Sequence, residues 1–97
     1  MTINKNTQEK ITVLALEGRL DTTTAPQLDA AIKLVDTIEL VLDFEKLEYI
    51  SSAGLRVLLA AQKTFTAKNG RFVVRSANAD VREVFEITGF SDILTLE

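Results

Sequence analysis

The chain has 97 residues, 46% of them hydrophobic, and a formal net charge of −3, with no cysteine, histidine or tryptophan. The absence of cysteine and histidine excludes a thiolate nucleophile, an imidazole general base, a Ser-His-Asp triad and a zinc site of cysteine and histidine ligands. We therefore expect a binding or switch module that is not an enzyme and uses no metal or cofactor. The length suits one domain over residues 1–97, and the scattered basic residues, 11 against 14 acidic ones, argue against nucleic-acid binding.

Two strands are predicted at the start of the chain. Residues 11–16 are almost continuously apolar, which is typical of a buried strand, and this strand is expected to end at Glu17-Gly18. We interpret the polar segment Thr2–Asn4 as an edge strand that pairs with it across a turn at residues 6–8. The two would form an antiparallel pair.

A helix and a further strand follow. Thr24 is a candidate N-cap, Gln27 occupies the capping-box position, and Pro26 falls in the first turn, where its missing amide loses no hydrogen bond. The helix carries an apolar stripe formed by Leu28, Ala31, Ile32 and Val35. Residues 38–44 are predicted to form the next strand, because they contain an uninterrupted apolar run.

The second half of the chain predicts two more helices and two more strands. The second helix should run from Ser52 to Asn69-Gly70, with Gly70 as its left-handed C′ residue. The remaining elements are a strand at 72–74, a third helix capped by Asn78 or Ser76 and stopped by Gly89, and a last strand at 93–96.

The resulting order, β-β-α-β-α-β-α-β, predicts an α/β fold with one mixed, mostly parallel sheet. It would have about four or five strands, with three or four helices packed on it through right-handed crossovers. Three helices can cover only part of such a sheet. We therefore expect one face to be thinly covered or shared with a partner.

The segment 42–55 carries the strongest functional signal. We expect a buried strand to end at Asp43, a loop containing the half-buried Tyr49 to follow, and Ser51 and Ser52 to open the second helix. Partner sites in such sheets gather at the carboxyl ends of the parallel strands. A phosphate on a serine here would meet the unpaired N–H groups of a helix N-terminus, so the fold would tolerate it and a docked partner would not. The alternative interpretation is that the serines only cap the helix.

The sequence LDFEKLEYISSAGLRVLL at residues 42–59, together with Gly18-Arg19-Leu20-Asp21 before the first helix, resembles the STAS domain of anti-sigma factor antagonists. The resemblance covers essentially the whole chain and implies a regulator of bacterial partner switching. Such a protein, when unphosphorylated, binds an anti-sigma factor that is also a serine kinase with a histidine-kinase-like ATPase fold, which frees the sigma factor. Phosphorylation of a serine releases the antagonist, and a PP2C-type phosphatase restores it.

By position, the resemblance implies phosphorylation at Ser52, two residues before Gly54, with Ser51 as the second choice. The best-known pattern of the family has an aspartate where this chain has Ser51, which is here a competing hydroxyl. Asp21 aligns with an aspartate implicated in the kinase interface, and its alternative interpretation is a turn or capping residue. The partner-binding residues implied in this way are Asp21, Thr22, Ser51, Ser52, Ala53, Gly54, Leu55 and Arg56.

Two alternative functions stay open at this point. One is a stand-alone STAS accessory subunit of a transport or lipid-trafficking system, and the other is a partner-switch regulator whose output is not a sigma factor. The polar N-terminus lacks the apolar core of a signal peptide, and no apolar stretch has the length of a membrane span. We expect a cytoplasmic protein that does not engage membranes and is a monomer when free.

Overall fold

The computed structural model describes residues 1–97 as a five-stranded sheet with three α-helices. The elements are β1 (Thr2–Gln8), β2 (Ile11–Leu20), α1 (Ala25–Lys33), β3 (Glu39–Ile50), α2 (Ser52–Ala67), β4 (Arg71–Arg75), α3 (Ala79–Thr88), a 3-10 helix (Phe90–Asp92) and β5 (Thr95–Leu96). The strands lie side by side in chain order, with β1 antiparallel to β2 and all later pairs parallel. The predicted order of elements and the mixed, mostly parallel sheet are confirmed.

The apolar core lies between one face of the sheet and the three helices. In β2 the side chains of Leu14, Leu16 and Leu20 are buried, while the positions between them are more exposed, as expected for a strand with one core-facing side. These leucines belong to a cluster of 21 buried residues that includes members of α1, α2 and α3. Because parallel strands are joined by right-handed crossovers, a strand order that follows the chain order places every connecting helix on the same side.

The other side of the sheet, which we call the helix-free face, has no helix packed on it. Val13, Val41 and Val73 pair across the three central strands there, and none of them belongs to the main core cluster. Asp43 and Arg75 follow next on the same face, with Nη2 of Arg75 lying 3.4 Å from Oδ2 of Asp43. The expectation that one face is thinly covered agrees with this arrangement.

The third strand is longer than expected. The sequence predicts a strand at residues 38–44 followed by a loop from Asp43 onward, but β3 continues without a break to Ile50, so the predicted loop is wrong. Its buried residues after Leu42 are Phe44, Leu47 and Ile50, which are three residues apart. Two register shifts against β2 each place an extra residue in β3, and these bulges replace the period of two by a period of three. The usual alternation of a strand is therefore absent from the sequence.

The first strand is longer than the predicted Thr2–Asn4. It extends to Gln8 and joins β2 through a two-residue turn at Glu9-Lys10, where Glu9 has a φ of 54°, so the turn predicted at residues 6–8 is wrong. Nearly all of β1 is exposed because it forms the edge of the sheet. A strand that is solvated on both faces shows no alternation of apolar and polar residues, and the sequence pattern therefore hides its length.

The start of α1 uses its polar residues differently from the predicted capping box. Thr24 precedes the helix, but its hydroxyl accepts a hydrogen bond from the Asp21 N–H and donates one to the Arg19 carbonyl, both at 2.8 Å. The side chain of Gln27 donates to the Met1 carbonyl instead of reaching back to the cap. Thr24 thus stabilises the turn that leads into α1, and no side chain caps the helix.

The ends of the other two helices agree with the sequence except at Gly70. The left-handed residue after α2 is Asn69, with a φ of 57°, and not Gly70 as predicted. Gly70 is needed because a Cβ atom there would lie only 2.4 Å from the carbonyl oxygen of Ile38. The side chain of Asn78 caps α3, and Gly89 ends it with a φ of 80°, both as expected.

Candidate phosphorylation and docking site

The two segments singled out in the sequence meet at the carboxyl edge of the sheet. Strands β2 and β3 run in parallel and end side by side, with Leu20 paired to Ile50. The N–H of Ser51 donates to the Leu20 carbonyl at 2.9 Å, so the turn after β2 and the start of α2 are directly joined. The structure therefore brings Asp21 and the two serines to one place.

Asp21 organises the turn between β2 and α1. Its Oδ1 atom accepts hydrogen bonds from the Thr23 hydroxyl at 2.7 Å, the Thr23 N–H at 2.9 Å and the Thr24 N–H at 3.2 Å. The hydrogen bond from the Thr23 hydroxyl lowers the pKa of Asp21, partial desolvation opposes that shift, and the two N–H groups add to it. The other oxygen, Oδ2, lies 3.9 Å from Nε of Arg19. Asp21 is thus an ionised turn residue with one oxygen still directed outward.

The lowered pKa of Asp21 gives a pH-dependent contribution to stability. A carboxyl group whose pKa is lower in the folded than in the unfolded chain stabilises the fold above its ordinary pKa, and the contribution disappears as the pH falls through the lowered value. We expect Asp21→Asn to lower the Tm relative to the unsubstituted chain at about pH 7 and the difference to shrink at about pH 3. In Thr23→Ala the pKa of Asp21 should rise, as measured by NMR titration. An unchanged Asp21 pKa in Thr23→Ala would contradict this assignment.

The two serines have different environments although they are neighbours in the chain. Ser51 is the N-cap of α2, and its Oγ accepts a hydrogen bond from the Gly54 N–H at 3.4 Å. Ser52 is the first residue of the helix, its side chain is exposed, and its hydroxyl forms no hydrogen bond within the chain. The capping alternative considered for the serines therefore applies to Ser51, while the hydroxyl of Ser52 is free.

Alanine substitutions should separate these two environments. Ser51→Ala should lower the free energy of unfolding by about 1 kcal/mol, the usual cost of losing an N-cap. Ser52→Ala should change it by less than about 0.5 kcal/mol, as expected for an exposed position. Urea unfolding measures both. Asn78→Ala gives an upper reference for the loss of a cap, because Asn78 caps α3 at 2.8 Å and its side chain also donates to the Leu47 carbonyl at 3.1 Å. A loss for Ser52→Ala as large as that for Ser51→Ala would show that Ser52 also supports the helix.

The other residues of the predicted docking set lie at different depths. Thr22 and Arg56 are exposed and Ala53 is half-buried, whereas Gly54 and Leu55 are buried beneath the helix start. A Cβ atom on Gly54 would lie 2.7 Å from Cγ of Leu20. Gly54 therefore allows α2 to approach the sheet closely, and it positions Ser52 without reaching the surface itself.

Two residues at this edge were not recognised as site residues from the sequence. Tyr49 is interpreted there as a half-buried loop residue, but it lies on β3 and its exposed fraction is 41%. Arg19 pairs with it across the strands, and the guanidinium carbon lies 4.2 Å from the centre of the Tyr49 ring. The pairing depends on the register shift between Gly18 and Arg19, which no local sequence pattern indicates.

The main hollows in the surface of the domain lie away from Ser52. Two shallow hollows lie on the helix-free face, one around Ala15 and Asp43 and the other around Val13 and Val41, and neither is lined by Ser51 or Ser52. No helix has both the length and the apolar character needed to cross a membrane. The exposed hydroxyl of Ser52 at the start of α2 can be reached by the active site of another protein.

The chain is similar to known proteins along nearly its whole length. The family model of the STAS domain matches residues 2–97. BtrV of Bordetella bronchiseptica, named as a candidate anti-sigma factor antagonist, is 42% identical over 95 residues, which are 92% of this chain and 82% of BtrV. The crystal structure of an anti-sigma factor antagonist from Mycobacterium paratuberculosis has a TM-score of 0.89 at 28% identity, covering 98% of this chain and 83% of that one.

A more distant structure shares the fold. The Bacillus cell fate determinant SpoIIAA, solved in a phosphorylated form, has a TM-score of 0.78 at 21% identity and covers 99% of this chain and 91% of its own. The family model spans nearly all 97 residues, and the strand order, the helix positions and the serine-bearing helix start fall within it. The chain belongs to the STAS domain family.

Proposed function

We propose that this chain is an anti-sigma factor antagonist in which residues 1–97 act as one STAS domain of a bacterial partner-switching pathway. The unphosphorylated chain binds an anti-sigma factor that is also a serine kinase with a histidine-kinase-like ATPase fold, and the sigma factor is released. Phosphorylation of Ser52 dissociates the complex, and a PP2C-type phosphatase removes the phosphate so that the chain can bind again. The observation that carries the proposal is the exposed, unbonded hydroxyl of Ser52 beside the Asp21 turn.

Phosphoryl transfer to Ser52 needs only a hydroxyl that another active site can reach. The serine Oγ attacks the γ-phosphorus of ATP, a base of the kinase takes the hydroxyl proton, and the bond to ADP breaks. Ser52 offers its Oγ without losing any hydrogen bond of the fold. Ser51 would have to give up the hydrogen bond that caps α2, and for this reason we place it second.

The phosphate would have opposite effects on the fold and on the complex. It adds a charge of about −1.5 to −2 at neutral pH. At the first residue of α2 this charge faces the positive end of the helix, and favourable charges at exposed helix ends typically stabilise by about 0.3–1 kcal/mol. In a docked interface the phosphate must lose its hydration, and any negative charge of the partner repels it. A loss of about 3–4 kcal/mol in binding free energy weakens an affinity several hundred-fold. The domain would stay folded while its partner leaves.

The chain itself would act by binding and as a kinase substrate. Asp21, in the turn joined to the start of α2, has a lowered pKa, which makes it a poor proton donor near neutral pH. Three hydrogen bonds from the turn occupy its Oδ1 atom, which gives this carboxylate a structural role in the turn. The pathway that we propose places the chain in the cytoplasm, where the kinase finds ATP and the sigma factor acts.

The proposal is tested by incubating the chain with ATP and the histidine-kinase-like anti-sigma factor encoded in the same genome, and locating the phosphate by mass spectrometry. We expect one phosphate on Ser52 in the unsubstituted chain and in Ser51→Ala, and none in Ser52→Ala. A PP2C-type phosphatase should remove it. The absence of phosphate from both serines, together with no detectable complex, would overturn the proposal.

A further inference from the structure

A second exposed feature lies at the same sheet edge as Ser52, on the helix-free face. Arg19 and Tyr49 are direct partners in the parallel pair of β2 and β3, and the guanidinium carbon of Arg19 lies 4.2 Å from the centre of the Tyr49 ring. The Tyr49 residue is 41% exposed and the Arg19 side chain 58% exposed. We call these two residues the Arg19–Tyr49 platform. Leu20 and Ile50, which follow them in the chain, are buried in the core.

The platform depends on an irregularity in the backbone. The pairing of β2 and β3 shifts between Gly18 and Arg19, and Gly18 has a φ of 108°, which only glycine adopts readily. Bulges of this kind redirect side chains and are common beside functional sites. Here the shift aligns Arg19 with Tyr49, where an unbroken register would pair Arg19 with Glu48.

The contacts within the chain leave most of the arginine unused. The guanidinium group has five N–H donors, and its one ion pair is the contact of 3.9 Å with Oδ2 of Asp21. An exposed cation–π pair contributes only about 0.5–1 kcal/mol. The ring nevertheless favours one orientation of the guanidinium group without neutralising its charge. A carboxylate from another molecule can therefore bind a positioned donor group at a reduced cost in side-chain entropy.

The platform is continuous with the serine site. Tyr49 stands two residues before Ser51 on the same strand end, and Arg19 stands two residues before Asp21 on the neighbouring one. A protein that docks over this end of the sheet to reach Ser52 can therefore also contact the platform. Arginine and tyrosine are also the residue types that most often dominate binding energy in interfaces.

We infer that the Arg19–Tyr49 platform determines which anti-sigma factor this chain accepts, by binding an acidic side chain that is flanked by an apolar one. The carboxylate would bind the outward N–H groups of Arg19, and the apolar neighbour would cover the Tyr49 ring. This inference rests on the proposed function, since it concerns the same partner. It adds a contact that does not involve the phosphorylated residue and that persists when Ser52 is replaced by alanine.

The test measures the affinity of the unphosphorylated chain for the same anti-sigma factor by calorimetry, without ATP. We expect Arg19→Ala and Tyr49→Ala to raise Kd by about 30-fold or more, the effect of losing an interface hot spot. Arg19→Glu should raise it further, because it would face the partner's carboxylate with a like charge. Arg19→Lys should recover only part of the affinity, since it keeps the charge and loses the planar donor group. Replacing one acidic residue of the anti-sigma factor by lysine should restore binding to Arg19→Glu.

Arg71→Ala is the matched control. Arg71 is an exposed arginine with an ion pair to Glu97, but it lies at the start of β4, at the end of the sheet opposite to the platform. Its replacement by alanine should therefore leave Kd unchanged. Because both platform residues are exposed, the Tm of their variants should stay close to that of the unsubstituted chain, as checked by circular dichroism. Unchanged Kd for Arg19→Glu and Tyr49→Ala, with tight binding of the unsubstituted chain, would overturn this inference and leave the proposed function intact. Failure of the unsubstituted chain to bind would overturn both.

Discussion

Ser52→Asp should weaken binding to the anti-sigma factor by about 100-fold, which corresponds to about 3 kcal/mol, while the Tm changes by no more than a few degrees. The aspartate places a charge at the exposed first residue of α2, where the helix end tolerates it but a docked surface must desolvate it. Ser52→Ala removes the hydroxyl without adding charge and should bind like the unsubstituted chain. Kd from calorimetry and Tm from thermal unfolding measure the two effects separately.

Ser51→Asp is the matched control for charge at this site. Aspartate is among the best N-cap residues, so this variant should keep or improve the stability of α2. Its carboxylate would be directed toward the Gly54 N–H, as the Ser51 hydroxyl is now, and it should reduce the affinity much less than Ser52→Asp. Equal affinities for Ser52→Asp and Ser52→Ala would contradict a switch at Ser52.

The contact between Gly54 and Leu20 should appear as a large coupling in a double-mutant cycle. Leu20→Ala removes a fully buried side chain and should cost about 2–5 kcal/mol of unfolding free energy. Gly54→Ala should cost about 1–3 kcal/mol, because its Cβ atom would lie 2.7 Å from Leu20 Cγ and 2.9 Å from Ile50 Cγ1. In the double variant the first of these collisions is absent. We therefore expect its loss to be smaller than the sum of the single losses by about 1 kcal/mol or more.

The same cycle with Leu16 supplies the control. Leu16 is buried on the same strand, but its atoms are not among those nearest to Gly54. The losses for Leu16→Ala and Gly54→Ala should add within about 0.5 kcal/mol. Urea denaturation of all variants measures the free energies. Strict additivity for the Leu20 pair would mean that α2 moves away from the sheet to accept the methyl group.

The features that the sequence predicts well are those with a strong local period. The buried runs at 11–16 and 40–42 and the apolar stripe of the first helix predict β2, β3 and α1, whereas the contact between the turn of Asp21 and Ser51 is seen only in the structure. The second half of β3 was missed because its two bulges spread the buried residues three apart. Gly70 was assigned to a left-handed conformation, because the sequence does not show that the Ile38 carbonyl approaches it.

Local sequence patterns predict only the part of the candidate site that begins at Ser51, and Asp21 and Thr22 were assigned through the resemblance to the family. Ser51 and Ser52 lie together at a predicted helix start, so the sequence marks both as candidates. Only the hydrogen bond from the Gly54 N–H to Ser51 shows which of the two caps the helix. The platform joins residues 30 positions apart through a shifted register. Local patterns carry no information on such a register, which depends on the packing of both strands against the helices.

The polar edge strand restricts the ways in which another protein can attach. β1 presents mostly polar side chains, including Lys5, at one edge of the sheet, and β5 at the other edge has only two residues. The edge at β5 is too short for the addition of a partner's strand, which needs a long row of free backbone groups, and at the longer edge strand β1 the charged Lys5 disfavours it. Partners must therefore dock through side chains, and contacts of that kind are open to loss by a single added charge. The same edges disfavour sheet-to-sheet aggregation of the free domain.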